Sequence, residues 1–276
     1  MLRWQDTWQK WTDKGGTWPS VTWAGARLTR ILFTLLGFGV FLLAWEGLIR
    51  WQHYPPYILP APAQVWHKFL VALADGTLWR HTRITLLEIG GGLGLGLFTA
   101  TVLGYLLAKS PFLEQLVGPY VVAAQAVPVV AIAPLIILWA GSGLLSKILV
   151  AALTLFFPVL VNTMVGFRSV EQELMDLMRV LNANRWQIFT KLEVPAALPI
   201  LFGGLKIGTA LSVIGAVVGE FVAADQGLGF LINLTSRGTL DTALLFVTLG
   251  VLVMIAVSLY TLVGWLERHV IIWDID

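Results

Sequence analysis

Residues 168–199 read RSVEQELMDLMRVLNANRWQIFTKLEVPAALP, the longest polar stretch between the apolar runs of this 276-residue chain. Leu174, Leu177, Met178 and Leu181 stand at i, i+3, i+4 and i+7, the spacing that lays one apolar stripe along a helix with charged flanks. Asn182 follows, a residue that tolerates the left-handed conformation at which helices end. The residues from Arg185 to Leu192 predict a second short helix, with Pro195 and Pro199 shaping its connection to the next element. An exposed helix with such a stripe needs somewhere to bury it, either against the chain's own helices or in a groove on a partner.

On both sides lie runs of the length that crosses a membrane. A bilayer core takes about 20 mostly apolar residues per helix, and six stretches meet that condition: 31–50, 84–108, 116–140, 144–167, 200–223 and 243–266. They are too long for barrel strands and lack a two-residue alternation, so the expected fold class is an all-α integral membrane protein of about six transmembrane helices. Composition agrees. The chain is 57% hydrophobic and 12% charged, against roughly a quarter charged in a soluble domain, and its mean hydropathy is +0.80. Pro128 and Pro134 interrupt the third span and Pro158 the fourth, which neighbouring helices can tolerate in a membrane. Gly92 with Gly96, Gly204 with Gly208, and Gly215 with Gly219 form G-x-x-x-G pairs, a sign of close helix packing.

Charge sets the expected orientation. With the N-terminus inside, the inner segments hold eleven Lys and Arg and the outer ones six, while Lys206 falls within a span. That bias places both termini and the 168–199 loop in the cytoplasm. Residues 1–30 read as a cytoplasmic N-terminal segment ahead of a signal anchor, because Asp6 and Asp13 and the lack of an A-x-A site do not fit a cleaved signal. Trp4, Trp8 and Trp11 share a helical face near Arg3, Lys10 and Lys14; they make either an interfacial helix or a frayed tail. Residues 31–276 form the transmembrane domain.

Enzymatic chemistry has no visible address. There is no cysteine, and a net charge of +2 is too mild a basic excess for a nucleic-acid binder. No G-x-x-x-x-G-K-[ST] stretch occurs, and His53, His67, His81 and His269 show no metal-ligand spacing, so neither a metal nor a cofactor is expected. Ionisable residues within spans carry more information. Lys206 and Glu220 lie about 21 Å apart along one helix and cannot pair with each other. Glu46, Glu88 and Glu220 fall toward the outer boundary, where hydration is cheap. They are either interfacial and structural, or they line a substrate path. Pro128 and Pro134, which break the third span, and Gly215 and Gly219, which thin the fifth, are likewise either cavity liners or sites of kinking and close packing.

Several motifs together resemble a known family. Asp176-Leu177-Met178, then Asn182, then Leu192-Glu193-Val194-Pro195 match the spacing of the EAA loop of ABC importer permeases: E-A-A, three residues, G, nine residues, I-x-L-P. The departures are an aspartate for the glutamate, larger apolar residues for the alanines, and asparagine for the glycine. From Trp45 onward the likeness continues. Ile58-Leu59-Pro60-Ala61-Pro62 resembles the L-P-x-P stretch before the second span. Ala133-Pro134-Leu135 through Leu138-Trp139-Ala140-Gly141 resembles the A-P-L…W-x-G signature of the nitrate, sulfonate, taurine and thiamine-precursor group. Lys147, Phe156-Phe157-Pro158, Asn162-Thr163 and Gly227-Leu228-Gly229 also fall where that group has them. Thr85-Leu86-Leu87-Glu88 and Arg185-Trp186-Gln187 are most similar to its riboflavin and pyrimidine-precursor branch, and an acidic outer mouth suits a neutral heteroaromatic better than an anion.

The resemblance implies a type I importer permease (MetI-like) fold in the bacterial cytoplasmic membrane and a transport subunit with no ATPase site of its own. Its implied partners are a pair of ATP-binding subunits, an extracytoplasmic substrate-binding protein, and a second permease copy, identical or a sister. It also implies a coupling helix over Glu173 to Ala183 that docks on the ATPase. Leu177, Met178 and Leu181 would be its anchors, Asp176 and Arg179 polar clamps, and Asn182 its turn. Nitrate, sulfonate or taurine is the alternative cargo. A secondary transporter is the more distant alternative, and it would need coupled ionisable sites near the midplane.

Overall fold

A computed structural model describes residues 23–272, and every regular element among them is helical. The tryptophans of the first 22 residues lie outside the described residues. Helix α1 (Trp23–Gln52) belongs to a unit ending at Pro55. There Glu46 accepts from Arg50, one turn on, at 3.0 Å, so this span-end glutamate has an exposed local partner.

The remaining residues form a second unit. It contains α2 (Pro62–Ala74), α3 (Thr77–Lys109), α4 (Pro111–Gln125), α5 (Val129–Ala140), α6 (Leu144–Arg168) and α7 (Gln172–Val180). A long helix α8 (Arg185–Ala223), a short α9 (Leu228–Asn233) and α10 (Thr242–Val270) complete it. Five helices are long and apolar enough to cross a membrane, and α4 with α5 makes up to a sixth.

Two sequence expectations need correction. The third span is not one helix over 116–140: α4 and α5 meet at 101°. The amides of Ala126 and Val127 close back three residues onto Ala123 and Ala124, and Pro128, which has no N–H to continue the ladder, sits in extended conformation as the N-cap of α5. Pro134 and Pro158, in contrast, lie inside helices that run on past them. The second correction concerns Arg185 to Leu192. These residues are not a separate short helix but the start of α8, which runs 39 residues through a π-turn at Phe189–Glu193. The widened turn ends just before Pro195, where the ladder lacks a donor in any case.

Helix α6 is the centre of the unit, with α3 on one side and α8 on the other. Leu155, Val159 and Leu160 of α6 pack with Ala100 and Leu107 of α3, while Ala151 joins Val213 and Ala216 of α8. The glycine pairs make this close. A Cβ at Gly96 would stand 2.7 Å from Leu155 Cδ1 and 2.8 Å from the Ala152 carbonyl oxygen; one at Gly215 would stand 2.6 Å from Ala151 Cα. Gly219 lies against Lys147 in the same way, and Gly204 and Gly208 against Asn162 and Val159. Without lipid-excluding hydrophobic force between helices, such backbone approach is what maximises dispersion contact. Helix α10 packs on α8, and Lys206 of α8 pairs with Glu267 of α10, so the lysine inside a span has a partner.

Candidate functional site

The polar loop forms a rigid helical hairpin. Helix α7 has Glu173 in its first turn and Arg179 in its last, both favourable to the helix dipole. Arg179 also donates to Asp176 at 2.8 Å on the same face. Asn182 takes the left-handed conformation with φ 52°. Its amide bonds to the Arg179 carbonyl at 3.0 Å, and the Ala183 amide reaches back to Met178 at 3.0 Å. These two bonds define a Schellman ending, the place where a glycine commonly sits and where asparagine is the next most tolerant residue. Asn184 then opens α8 through a capping box: its side chain accepts from the Gln187 amide, and Gln187 accepts from the Asn184 amide, both at 2.8 Å.

The stripe on this hairpin is left uncovered. Leu174 is exposed, Leu177 is 53% exposed and Leu181 67%, and no residue of α7 is buried. Met178 and Ala183 are half-buried, whereas Glu173, Asp176, Arg179 and Asn182 are exposed. Burial against the chain's own helices, one of the two sequence alternatives, therefore does not occur for Leu174, Leu177 and Leu181.

Both ends of α7 are firmly held. At its start, Arg168 closes α6 and grips Glu114 of α4 through two bonds of 2.6 and 2.5 Å, with a third to the Leu107 carbonyl at 3.2 Å. At its end, Trp186 and Phe189 of α8 join Tyr105 and Phe167 in an aromatic cluster with neighbouring ring centroids 4.8 to 6.4 Å apart.

A second polar site lies at the opposite end of the bundle, where α3 begins and α8 ends. Glu88 and Glu220 are each 1% exposed, not hydrated at a boundary as their sequence positions suggested. For Glu220 the reason is the chain after α8, which turns back over it. One Glu220 oxygen accepts from the Thr85 hydroxyl at 2.6 Å; the other accepts from the Gly229 amide at the start of α9. Thr85 in turn accepts from the Leu228 amide at 2.8 Å, and His81 Nδ1 accepts from the Gly227 amide at 2.9 Å. Gly227 has φ +117°, and a side chain at either glycine would run into the Glu220 carboxyl group. The Gly227-Leu228-Gly229 motif is thus a backbone wrapped tightly around a buried acid.

Glu88 keeps one oxygen without a hydrogen-bond partner among the described residues. It lines a cavity of about 270 Å³ with Lys147, Ser142, Asp225 and Gln226, and Lys147, itself buried, donates to the Ser142 carbonyl. The structure therefore brings Glu88 and Glu220 together but separates their environments: both Glu220 oxygens are engaged by protein, whereas Glu88 borders open space. Gly215 and Gly219 are buried against α6, and Pro128 and Pro134 are exposed at the corner and on α5. The sequence reading gave His81 no role and used Thr85 only as part of the motif ending at Glu88, not as a partner of Glu220. Two glycines flanking one apolar residue shortly after an intramembrane glutamate was the available signal. Among the described residues no group of three or more metal-ligating side chains forms.

The model of the family described as binding-protein-dependent transport system inner membrane component matches residues 92–272. Over 233 residues the chain is 49% identical to the riboflavin transport system permease protein RibX of Chloroflexus aurantiacus, spanning 84% of this chain and 87% of the relative. It is 36% identical over 195 residues to the formylaminopyrimidine transport permease protein ThiX of Halalkalibacterium halodurans, covering 71% and 77%. The taurine transport system permease protein TauC of Escherichia coli is 30% identical over 239 residues, covering 85% and 86%. In fold, the chain is similar to the inward-facing MetNI methionine ABC transporter, with a TM-score of 0.62 at 20% identity over 72% of this chain and 96% of that one.

Proposed function

The chain belongs to the family of binding-protein-dependent transport inner membrane components, and on that footing we propose that it carries a heteroaromatic vitamin or precursor, riboflavin or a thiamine-precursor pyrimidine. It is the multi-pass permease subunit of an ATP-driven ABC importer in the inner membrane, with no ATPase site of its own; ATP-binding subunits and a substrate-binding protein are its partners. The observation that carries the cargo assignment is the order of likeness: 49% to a protein named for riboflavin and 36% to one named for formylaminopyrimidine, against 30% to one named for taurine. Because the taurine relative spans just as much of the chain, 85% against 84%, nitrate, sulfonate or taurine is the second reading.

In the proposed arrangement both termini and α7 face the cytoplasm, and two copies of the chain pair around the path. The uncovered stripe of α7 docks in a groove on the ATPase with Leu177, Met178 and Leu181 as anchors. Asp176 and Arg179, with Glu173, Asn182 and Ala183 at the two ends, fix its orientation. ATP-driven closure of the ATPase pair pushes α7, which hands the displacement to α6 and α8 through its two held ends. Glu88 with its cavity, and the corner at Pro128 with Pro134 on α5, border the path. Glu220, Gly215 and Gly219 belong to it as its support, through the α9 wrap and the α6 contact.

Uptake measurements decide the cargo. In a strain lacking the chain and supplied with its ATPase and binding protein, restoring the gene is expected to restore import of labelled riboflavin or an aminopyrimidine precursor. Restoration of taurine or an alkanesulfonate in their place would overturn the assignment.

A further inference from the structure

An ion pair between a buried glutamate and an exposed lysine stands where the docking hairpin meets the bundle. Lys109, the last residue of α3, donates to Glu193 at 2.6 Å, and Glu193 is the last residue of the π-turn in α8. The glutamate side chain is only 6% exposed, and its second oxygen has no hydrogen-bond partner among the described residues. The lysine ammonium also lies 5.9 Å above the Tyr105 ring, which the Phe167 and Phe189 rings flank. Next to it the chain turns at Ser110 into α4.

Such a pair adds little net stability, because desolvation of the glutamate offsets the attraction, but moving the lysine away leaves a buried carboxylate unpaired, which favours the arrangement that keeps the two together. Here the middle of α3 and α8 is already held through α6, and at their hairpin-side ends the ion pair is the charged tie beside the Tyr105–Phe189 ring contact. A push on α7 arrives at two places. At its start it reaches Arg168, which is tied to α4; at its end it reaches the first turns of α8, where Glu193 is tied to α3. We propose that Lys109 and Glu193 form the positioning pair that transfers displacement of the docking helix into α3, so that ATP hydrolysis and cargo movement stay linked. This inference rests on the docking reading of α7.

The test uses the complete importer, permease with its ATPase pair and binding protein, in proteoliposomes, and reads ATP hydrolysed per cargo molecule imported. Glu193→Gln is expected to keep the ATPase bound and hydrolysing while raising that ratio about tenfold, within the usual range of coupling between sites. Lys109→Met combined with Glu193→Met removes both charges and leaves apolar packing, and is expected to raise the ratio likewise if the single variant folds poorly. An unchanged ratio, including one in which hydrolysis and import fall together, would overturn the inference. Leu177→Asp separates the two ideas. If that variant still retains the ATPase, the docking reading fails whatever Glu193 does; if it releases the ATPase while the Glu193→Gln ratio is unchanged, only the positioning pair fails.

Discussion

Replacing Glu220 by alanine isolates what the buried carboxyl group does. Its two oxygens take the Thr85 hydroxyl and the Gly229 amide. Once it is gone, the Thr85 hydroxyl can turn to the His81 carbonyl, already 3.2 Å away, at little cost. The Gly229 amide has no such recourse, since it lies in the first turn of α9 where a helix offers no partner. A buried donor left unsatisfied costs about 1–3 kcal/mol. Besides the carboxyl group, the truncation removes one buried methylene from a side chain with 1% exposure, at ~0.8 kcal/mol. The expected destabilisation is therefore about 2–4 kcal/mol, summing those two effects. It can be read by unfolding the purified permease in mixed micelles with increasing SDS, followed by tryptophan fluorescence. Thr85→Ala, which strands the Leu228 amide, is expected to cost about 1–3 kcal/mol, and the double variant less than the sum because the groups share one network. A Glu220→Ala loss below about 0.5 kcal/mol, the range of ordinary surface substitutions, would refute the reasoning. So would lost import at unchanged stability, which would make the carboxyl group a cargo contact.

Other perturbations test other levels. Leu177→Asp is expected to leave the permease inserted but to weaken ATPase association by ~2 kcal/mol or more, about thirtyfold, read by co-purification and by uptake. Asn182→Val forces a β-branched residue to φ 52° and is expected to destabilise the hairpin by about 1–2 kcal/mol, whereas Asn182→Gly is expected to be neutral or mildly stabilising; proteolytic nicking of the loop reports both. Gly96→Val sets a branched side chain against Leu155 and the Ala152 carbonyl and is expected to cost about 1–3 kcal/mol through overpacking, measured as thermal stability in detergent. Gly94→Ala, where an added Cβ meets nothing within 4 Å, is the matched control and should leave stability intact.

The apolar stripe and its turn were legible because they depend on neighbours in sequence: 3.6-residue periodicity placed Leu174, Leu177 and Leu181 on one face, and Asn182 is tolerant of the one conformation that ends α7 there. The spans were legible from length and hydropathy, and Pro128 marked where the third one fails. The size of that bend was not legible, since proline removes a donor without dictating the angle. The setting of Glu88 and Glu220 was hidden for another reason. Position along a span measures depth in a membrane, but Glu220 is buried by residues 227–229 folding back over it and by Thr85 of α3, and Glu88 lies beside Lys147 of α6, contacts between different elements. The same holds for Lys109 with Glu193 and for Arg168 with Glu114, pairs 84 and 54 residues apart. The π-turn left no periodic mark at all, because the helix around it keeps its apolar face.

The glycine seams along α6 also decide where this permease can bend. With backbones this close on both flanks, a small sideways slide of α3 or α8 drives atoms into van der Waals overlap, while separation forfeits contact along the whole seam. Along the length of these seams the three helices therefore act as one stiff plank, while the ends beyond the glycines, Lys109 of α3 and the Phe189–Glu193 turn of α8, rely in the proposed coupling on their own ion pair to move together. In the proposed importer cycle, rocking between states is taken up at the plank's margins, above all at the right-angled corner between α4 and α5, where only a few residues join two short apolar pieces. A crosslink within the plank should be silent in transport, and one across that corner should stall it.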